Sequence, residues 1–254
     1  MAELDDQTCL AVTCHDPSGR FATGVEEAGG VLADVFGSLA VNVTSETHPA
    51  TVAALRALSL PTFFGEHGAG SVGIGTARRD ALALGLRSRD GRLFYSDLDH
   101  ILRWLGSSRD EVETCLAQPH HDFLVVGRSP AAMAAGPERL RRTEELVNHV
   151  YGLANGLSTR WDLMIAMRLM TRDTAQTILT HSQETSITSD VTWPMLVQAR
   201  GGSVGYFDAD GIRFLARDDF GADVDRRDDD AAEWHSRMIT ATAHVRAIVE
   251  FDRV

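Results

Sequence analysis

Apolar positions fall into two rhythms along this chain. Short unbroken apolar runs read as strands buried on both faces. They are Cys9–Cys14 (CLAVTC), Leu39–Val43 (LAVNV), Pro61–Phe64, Leu93–Ser96 and Asp122–Val126 (DFLVV). Between the first four, apolar residues recur at helical spacing in Gly24–Phe36, Pro49–Leu58 and Thr76–Arg87. The βαβαβαβ order predicts an α/β fold, a largely parallel sheet with helices on both faces. In such a sheet ligands bind beyond the carboxyl ends of the strands.

The second half has a different rhythm. Pro137–Leu153 predicts a long helix with a charged start, PERLRRTEEL, and Trp161–Met170 is an apolar, Met-rich stretch. Asp173–Thr180 and Val191–Ala199 read as short helices. Ser203–Phe207 and Ile212–Leu215 flank Asp208–Gly211 and predict a hairpin. Asp218–Asp230 is dense in Asp and Arg and reads as a mobile loop; another loop, Glu66–Ser71, follows the third strand. Ala231–Glu250 predicts a closing amphipathic helix. With no internal repeat, low-complexity tract or linker, residues 1–254 read as one domain.

Composition narrows the chemistry. At 254 residues, 44% hydrophobic and 24% charged, the chain is of globular type and long enough for a core without staples. A net charge of −12 excludes a nucleic-acid surface as the main partner, because phosphate backbones require clustered positive charge. The sequence contains no lysine, so a catalytic lysine is excluded. Three irregularly spaced cysteines, Cys9, Cys14 and Cys115, predict reduced thiols and a cytoplasmic protein. The acidic start MAELDDQT predicts no secretory signal, and the lack of an apolar run of about 18 residues predicts no membrane span.

The chemistry concentrates in Gly73–Trp104, GIGTARRDALALGLRSRDGRLFYSDLDHILRW. A glycine turn, Gly73-Ile74-Gly75, opens a helix carrying Arg78 and Arg79. Glycines let backbone approach a ligand, a helix start favours anions, and arginine forks onto a diphosphate; equally, this is an ordinary loop with surface arginines. Asp97 and Asp99, at i and i+2 past a buried strand, can both reach one Mg²⁺ or Mn²⁺ with a diphosphate on its far side. The same spacing also suits a capped turn. His100 stands beside the pair, while His235 and His244, in the last helix, are further candidates to complete a metal site. Arg128 follows the strand DFLVV. Arg168 lies in WDLMIAMRLMTR, where a buried cation needs a partner, Asp162 or a phosphate. Asp190, in SITSDVTWPML, fits either a helix cap or a general base, with Glu184 as its rival. Trp193 fits a pocket wall or the core.

The order of these signals resembles that of a GT-A glycosyltransferase, nearest in layout to the family-2 and polyprenyl-phosphate mannose synthase-like group. The resemblance runs from about Leu10 to Tyr206 and rests on AVTCHDPSG, VNVTSETHPATVAAL, GIGTAR, FYSDLD, VVGRS, WDLMIAMR and SDVTWPMLVQARGG. Thr44 stands where an acidic residue is common in that group, and Ile101 where a third ligand often follows the Asp pair. The resemblance implies a nucleotide-binding half at about 8–105 and an acceptor-side half at about 106–254. It implies a GDP- or UDP-sugar donor and a divalent metal, Mg²⁺ or Mn²⁺, on Asp97 and Asp99. Donor contacts are implied at Thr13, His15, Glu46, Gly75, Arg78, Arg79 and Leu98. Phosphate contacts are implied at Arg128 and Arg168, and an acceptor-side carboxylate or base at Asp190. The acceptor would be a small molecule or a lipid phosphate. Two other readings stand beside it: a haloacid-dehalogenase-type phosphohydrolase, which also uses Asp-x-Asp after a strand, and a catalytically idle glycosyltransferase-like binding protein.

Overall fold

The computed structural model of the chain describes residues 7–68, 73–119, 121–212 and 227–251. The strands are β1 (Thr8–Cys14), β2 (Ser38–Thr44), β3 (Thr62–His67), β4 (Arg92–Asp97), β5 (Phe123–Arg128), β6 (Met167–Thr171) and β7 (Val204–Ala209). The helices are α1 (Phe21–Val35), α2 (Pro49–Arg56), α3 (Ile74–Gly85), α4 (Leu98–Ser107), α5 (Arg109–Leu116), α6 (Pro130–Ala134), α7 (Glu138–Asn155), α8 (Arg172–His181), α9 (Ser189–Ala199) and α10 (Ala231–Val249). The seven strands form one sheet in the order β3-β2-β1-β4-β6-β5-β7. All neighbours are parallel except β6, which runs against both β4 and β5.

Alternation along each strand divides the core in two. In β1, Leu10 and Val12 join Val41, Phe94 and Trp104 on the face covered by α1, α2, α4 and α5. Cys9 and Ala11 join Leu82, Tyr95 and Trp193 on the face covered by α3 and α7–α10. All three cysteines are buried and free. Burial pushes the thiols up, Cys9 to about 11 and Cys14 to about 12, so neither is a thiolate at neutral pH.

Local chemistry sets the helix starts. Asp16 accepts hydrogen bonds from the backbone N–H groups of Arg20 and Phe21 and from the Thr51 hydroxyl, joining the start of α1 to α2. Ser129 caps α6, Thr171 caps α8 and Asp230 caps α10. Gly156, at φ 62°, ends α7 in the left-handed conformation that only glycine adopts freely.

The structure departs from the sequence pattern in several places. The Met-rich stretch contains strand β6, and its antiparallel course interrupts the parallel sheet. Ser203–Phe207 supplies β7, but that strand pairs in parallel with β5. Of the second hairpin arm, Ile212 is not in a strand, and residues 213–215 lie outside the described residues. The Asp/Arg-dense loop at 218–230 lies mostly outside them too, as do residues 69–71 of the loop after β3 and the first six residues. Helix α10 is not cleanly amphipathic, because Met238, Ile239 and Val249 are exposed. Among the described residues no helix is long and apolar enough to cross a membrane.

Candidate functional site

The carboxyl ends of the parallel strands place Thr13, Thr44, His67, Asp97 and Arg128 along one edge of the sheet. Two hollows open there. The first, about 310 Å³, is lined by Thr13, Cys14, His15, Phe21, Thr44, His67, Ile74, Ala77, Asp97, Leu98 and Asp99. The second, about 320 Å³, lies towards α7, α9 and α10 and is lined by Arg78, Asp97, His100, Arg128, Arg139, Glu144, Ala166, Asp190, Arg227, Glu233 and Arg237, among others. Asp97 lines both. A larger hollow of about 420 Å³, between α7 and residues 157–160, contains neither aspartate.

Asp97 ends β4 and Asp99 sits in the first turn of α4, so the i, i+2 spacing is turned by the helix start. Asp97 Oδ1 accepts hydrogen bonds from the hydroxyls of Thr13 (2.7 Å) and Tyr95 (2.9 Å). That fixes the carboxylate and leaves Oδ2 facing His100 Nδ1 at 4.0 Å. Asp99 Oδ2 lies 3.7 Å from His100 Nε2 and pairs with Arg103 at 2.5 Å, one helical turn on. His100 Nδ1 also lies 3.1 Å from the Ile165 carbonyl. Hard oxygen donors at a fixed strand end suit Mg²⁺ or Mn²⁺. Among the described residues no three His, Cys, Asp or Glu side chains converge into a metal-holding group, so a cation on this pair would take its other ligands from a phosphate or water.

Arg78 is buried beneath the second hollow. Its Nη1 donates to Asp190 Oδ1 at 2.7 Å and to Ser189 Oγ at 2.8 Å, and the guanidinium lies 5.9 Å from the Tyr95 ring centre. Burial pushes the Asp190 carboxyl up, but Arg78, His244 and Arg168 outweigh it and hold the group below the usual carboxylate range. Burial likewise raises the Tyr95 phenol, and the Asp97 charge adds to it, so Tyr95 remains a donor. Arg128 is enclosed by Asp162 (2.7 Å) and Glu144, and Glu144 also holds Arg237 of α10 at 2.7 Å. Three guanidinium Nε atoms around this hollow, those of Arg78, Arg139 and Arg237, are buried with no hydrogen-bond partner among the described residues. The nearest carboxylate contact of the Arg139 Nε is Glu233 at 3.8 Å.

The structure brings Thr13, His15, Leu98, Asp97 and Asp99 together in the first hollow, and Arg78, Arg128 and Asp190 in the second. It places others elsewhere. Arg79 donates to the carbonyls of Ile178, Leu179 and Ser182, tying α3 to the end of α8. Arg168 donates to the carbonyls of Met167, Leu163 and Asp190, so backbone rather than Asp162 is its partner. It staples the turn in which Ala166 has φ 56°. Glu46 is exposed and lines neither hollow. The glycine turn meets protein, not open space: a Cβ on Gly73 would stand 2.0 Å from the Thr185 carbonyl oxygen, and one on Gly75 2.5 Å from that of Ser186. His244 is buried against Asp190 and lines neither hollow, and His235 is exposed. Trp193 is core, edge-on to Tyr95. Glu184 caps its own loop through Ser186 and Thr188. Arg139, Arg237, Glu144 and His67 are site residues that the sequence reading does not single out as such. Arg139, Leu140, Thr143, Glu144 and Val147 share one buried helical face, and that periodicity is the signal that could have found two charges on an apolar stripe.

No protein-family model matches this chain, and no curated protein sequence matches it either. Solved structures do. Glucosyl-3-phosphoglycerate synthase from Mycobacterium tuberculosis, crystallised with Mn²⁺, UDP and phosphoglyceric acid, aligns with a TM-score of 0.62 at 10% identity, over 97% of this chain and 79% of that one. The same enzyme with Mn²⁺ and UDP-glucose aligns at 0.57 and 9% identity, over 97% and 80%. A structure described as a mycobacterial protein aligns at 0.61 and 11% identity, over 99% and 79%. Likeness at this identity establishes the fold: the seven-stranded, mostly parallel sheet flanked by helices is that of GT-A-like glycosyltransferases.

Proposed function

We propose that the chain transfers a sugar from a nucleotide-diphosphate sugar, UDP-linked rather than GDP-linked, to a small anionic acceptor. The observation that carries this reading is the pair of hollows meeting at Asp97. Fold alone does not assign activity, but a strand-end carboxylate shared by two cavities is what transfer between two bound molecules requires. The donor side is drawn entirely from residues 13–99, in keeping with a nucleotide-binding half at about 8–105. Its lining at His15, Thr44 and His67 carries no carboxylate and suits a base and ribose. The similar structures that hold UDP, UDP-glucose and phosphoglyceric acid support both halves of the reading.

Mg²⁺ or Mn²⁺ would be held by Asp97 and Asp99 and would neutralise the diphosphate leaving group. This chain's own residues do the rest. Thr13 and Tyr95 fix Asp97 through its Oδ1, so that Oδ2 would be the oxygen available to a cation. Arg103, one helical turn on, holds Asp99 through its Oδ2. On the acceptor side, the guanidinium groups of Arg78, Arg139 and Arg237 line the hollow and supply the positive charge that would hold an anionic acceptor beside Asp97. Asp190, already ionised and committed to Arg78, is better suited to holding that arginine than to taking a proton. A membrane-bound lipid phosphate fits a cavity of about 320 Å³ less well than a small phosphate or carboxylate does.

Calorimetric titration with UDP, with and without Mn²⁺, tests the proposal. The expected result is Mn²⁺-dependent binding that falls about tenfold or more in Asp99→Asn, the loss of one charged metal contact. Absence of UDP binding, or an Mn²⁺ dependence unchanged in that variant, overturns it.

A further inference from the structure

Helix α10 lines the second hollow with Glu233 and Arg237, and behind that lining it carries a fully buried histidine, His244. Its Nδ1 lies 2.8 Å from the carbonyl oxygen of Thr240, and its Nε2 lies 3.2 Å from that of Ile187. Carbonyl oxygens only accept, so both ring nitrogens must carry a proton for both contacts to be made. The ring that satisfies this geometry is the imidazolium. Its counter-charge is at hand, since Asp190 Oδ2 lies 3.6 Å from Nε2. Asp190 uses its other oxygen to hold Arg78, which lines the second hollow together with Asp97.

We propose that His244 is a positioning residue: as an imidazolium it fixes Asp190, and through Asp190 it sets Arg78 at the second hollow, which Asp97 also lines. The C-terminal helix thereby sets the cation that faces the acceptor, and does so only while its histidine is charged. Among the described residues the charged groups facing His244 are few. From α9 comes Asp190, and behind it stand Arg78 of α3 and Arg168 of β6, the latter 4.0 Å from Asp190. Helix α7, packed on the flank of α10, directs Glu144 to Arg237, about two turns from His244. Burial disfavours the charged ring, but the bond to Asp190 and its charge outweigh burial, so the group stays protonated to higher pH than an ordinary histidine. The sign follows: a raised folded value means the latch is complete below the ordinary histidine range, about 6.5, and is lost as pH rises through the folded value.

The test begins with the whole free protein and needs no assumption about sugar transfer. Imidazole ¹⁵N spectra of the wild type should show both His244 nitrogens protonated at pH 6, with a midpoint above the ordinary histidine value of about 6.5. A neutral tautomer at pH 6, or a midpoint below the ordinary value, overturns the proposal. The Arg78 Nε–H resonance should move with the same midpoint and stand still across that range in His244→Gln; an Arg78 resonance indifferent to the transition in the wild type overturns it as well. The functional arm rests on the transferase reading and uses sulfate as the probe, because it does not titrate in this range. Sulfate affinity should weaken about fivefold through the transition in the wild type, the low end of ordinary coupling between sites, and stay flat in His244→Gln. An equal slope in both proteins overturns the coupling to the cleft. Correct ring protonation with no sulfate binding at all removes instead the anionic-acceptor reading.

Discussion

A methyl group placed on Gly75 would stand 2.5 Å from the Ser186 carbonyl oxygen, whereas one placed on Gly30, in the middle of α1, would meet nothing within 4 Å. At the scale of single residues the two glycines therefore do opposite things. Gly75→Ala should cost about 1–3 kcal/mol, since the new methyl meets backbone that has nowhere to go. Gly30→Ala should instead gain about 0.5–1 kcal/mol. Urea unfolding of both variants checks the pair; equal effects would show that the 185–186 contact does not constrain the turn. The Gly73-Ile74-Gly75 turn is conspicuous in the sequence, but what it accommodates lies more than a hundred residues away and leaves no local mark. The Asp97–Asp99 motif is legible because a strand end and an i, i+2 spacing are local. The Arg78–Asp190 pair is not, because its members stand 112 residues apart in sequence and no local rhythm joins them.

At the scale of elements, the first four strands and their intervening helices are readable because apolar runs and helical spacing alternate cleanly. Strand β6 escapes because WDLMIAMRLM is apolar almost throughout, and such a run carries no period to separate strand from helix. The sequence reading passes over α4 and α5, although Leu98, Ile101, Trp104 and Leu105 make a clear buried stripe. The supposed hairpin at β7 is overridden by parallel pairing with β5, a long-range choice. Arg79 shows how an element can be held by one side chain, since its guanidinium satisfies three carbonyls at the end of α8. Arg79→Met should cost about 1.5–3 kcal/mol, the usual range for hydrogen bonds to a charged group. Hydrogen exchange should accelerate in the last turn of α8; unchanged protection there would remove Arg79 from this role.

At the scale of the whole molecule, acid should act through the buried carboxylates. Burial raises Asp162, but Arg128 and the Asn148 amide bring it below the usual range, and Asp190 is held low by Arg78. A depressed folded value means that this stability is complete above the unfolded Asp value, about 3.9, and is lost as pH falls through the folded ones. The urea midpoint should therefore hold from about pH 6 to about pH 4.5 and fall steeply below about pH 4. A midpoint that is the same at pH 5 and pH 3 would show that neither pair supports the fold.

Arg78, Arg128, Arg139 and Arg168 are buried guanidinium cations around the cleft. No ammonium side chain is present anywhere in the chain to be neutralised by alkali or by acylation. The guanidinium contribution to the cleft's field is thus permanent under any condition in which the molecule stays folded. Only oxygen acids and imidazoles are left to adjust it, which confines any response to the medium to a handful of identifiable protons.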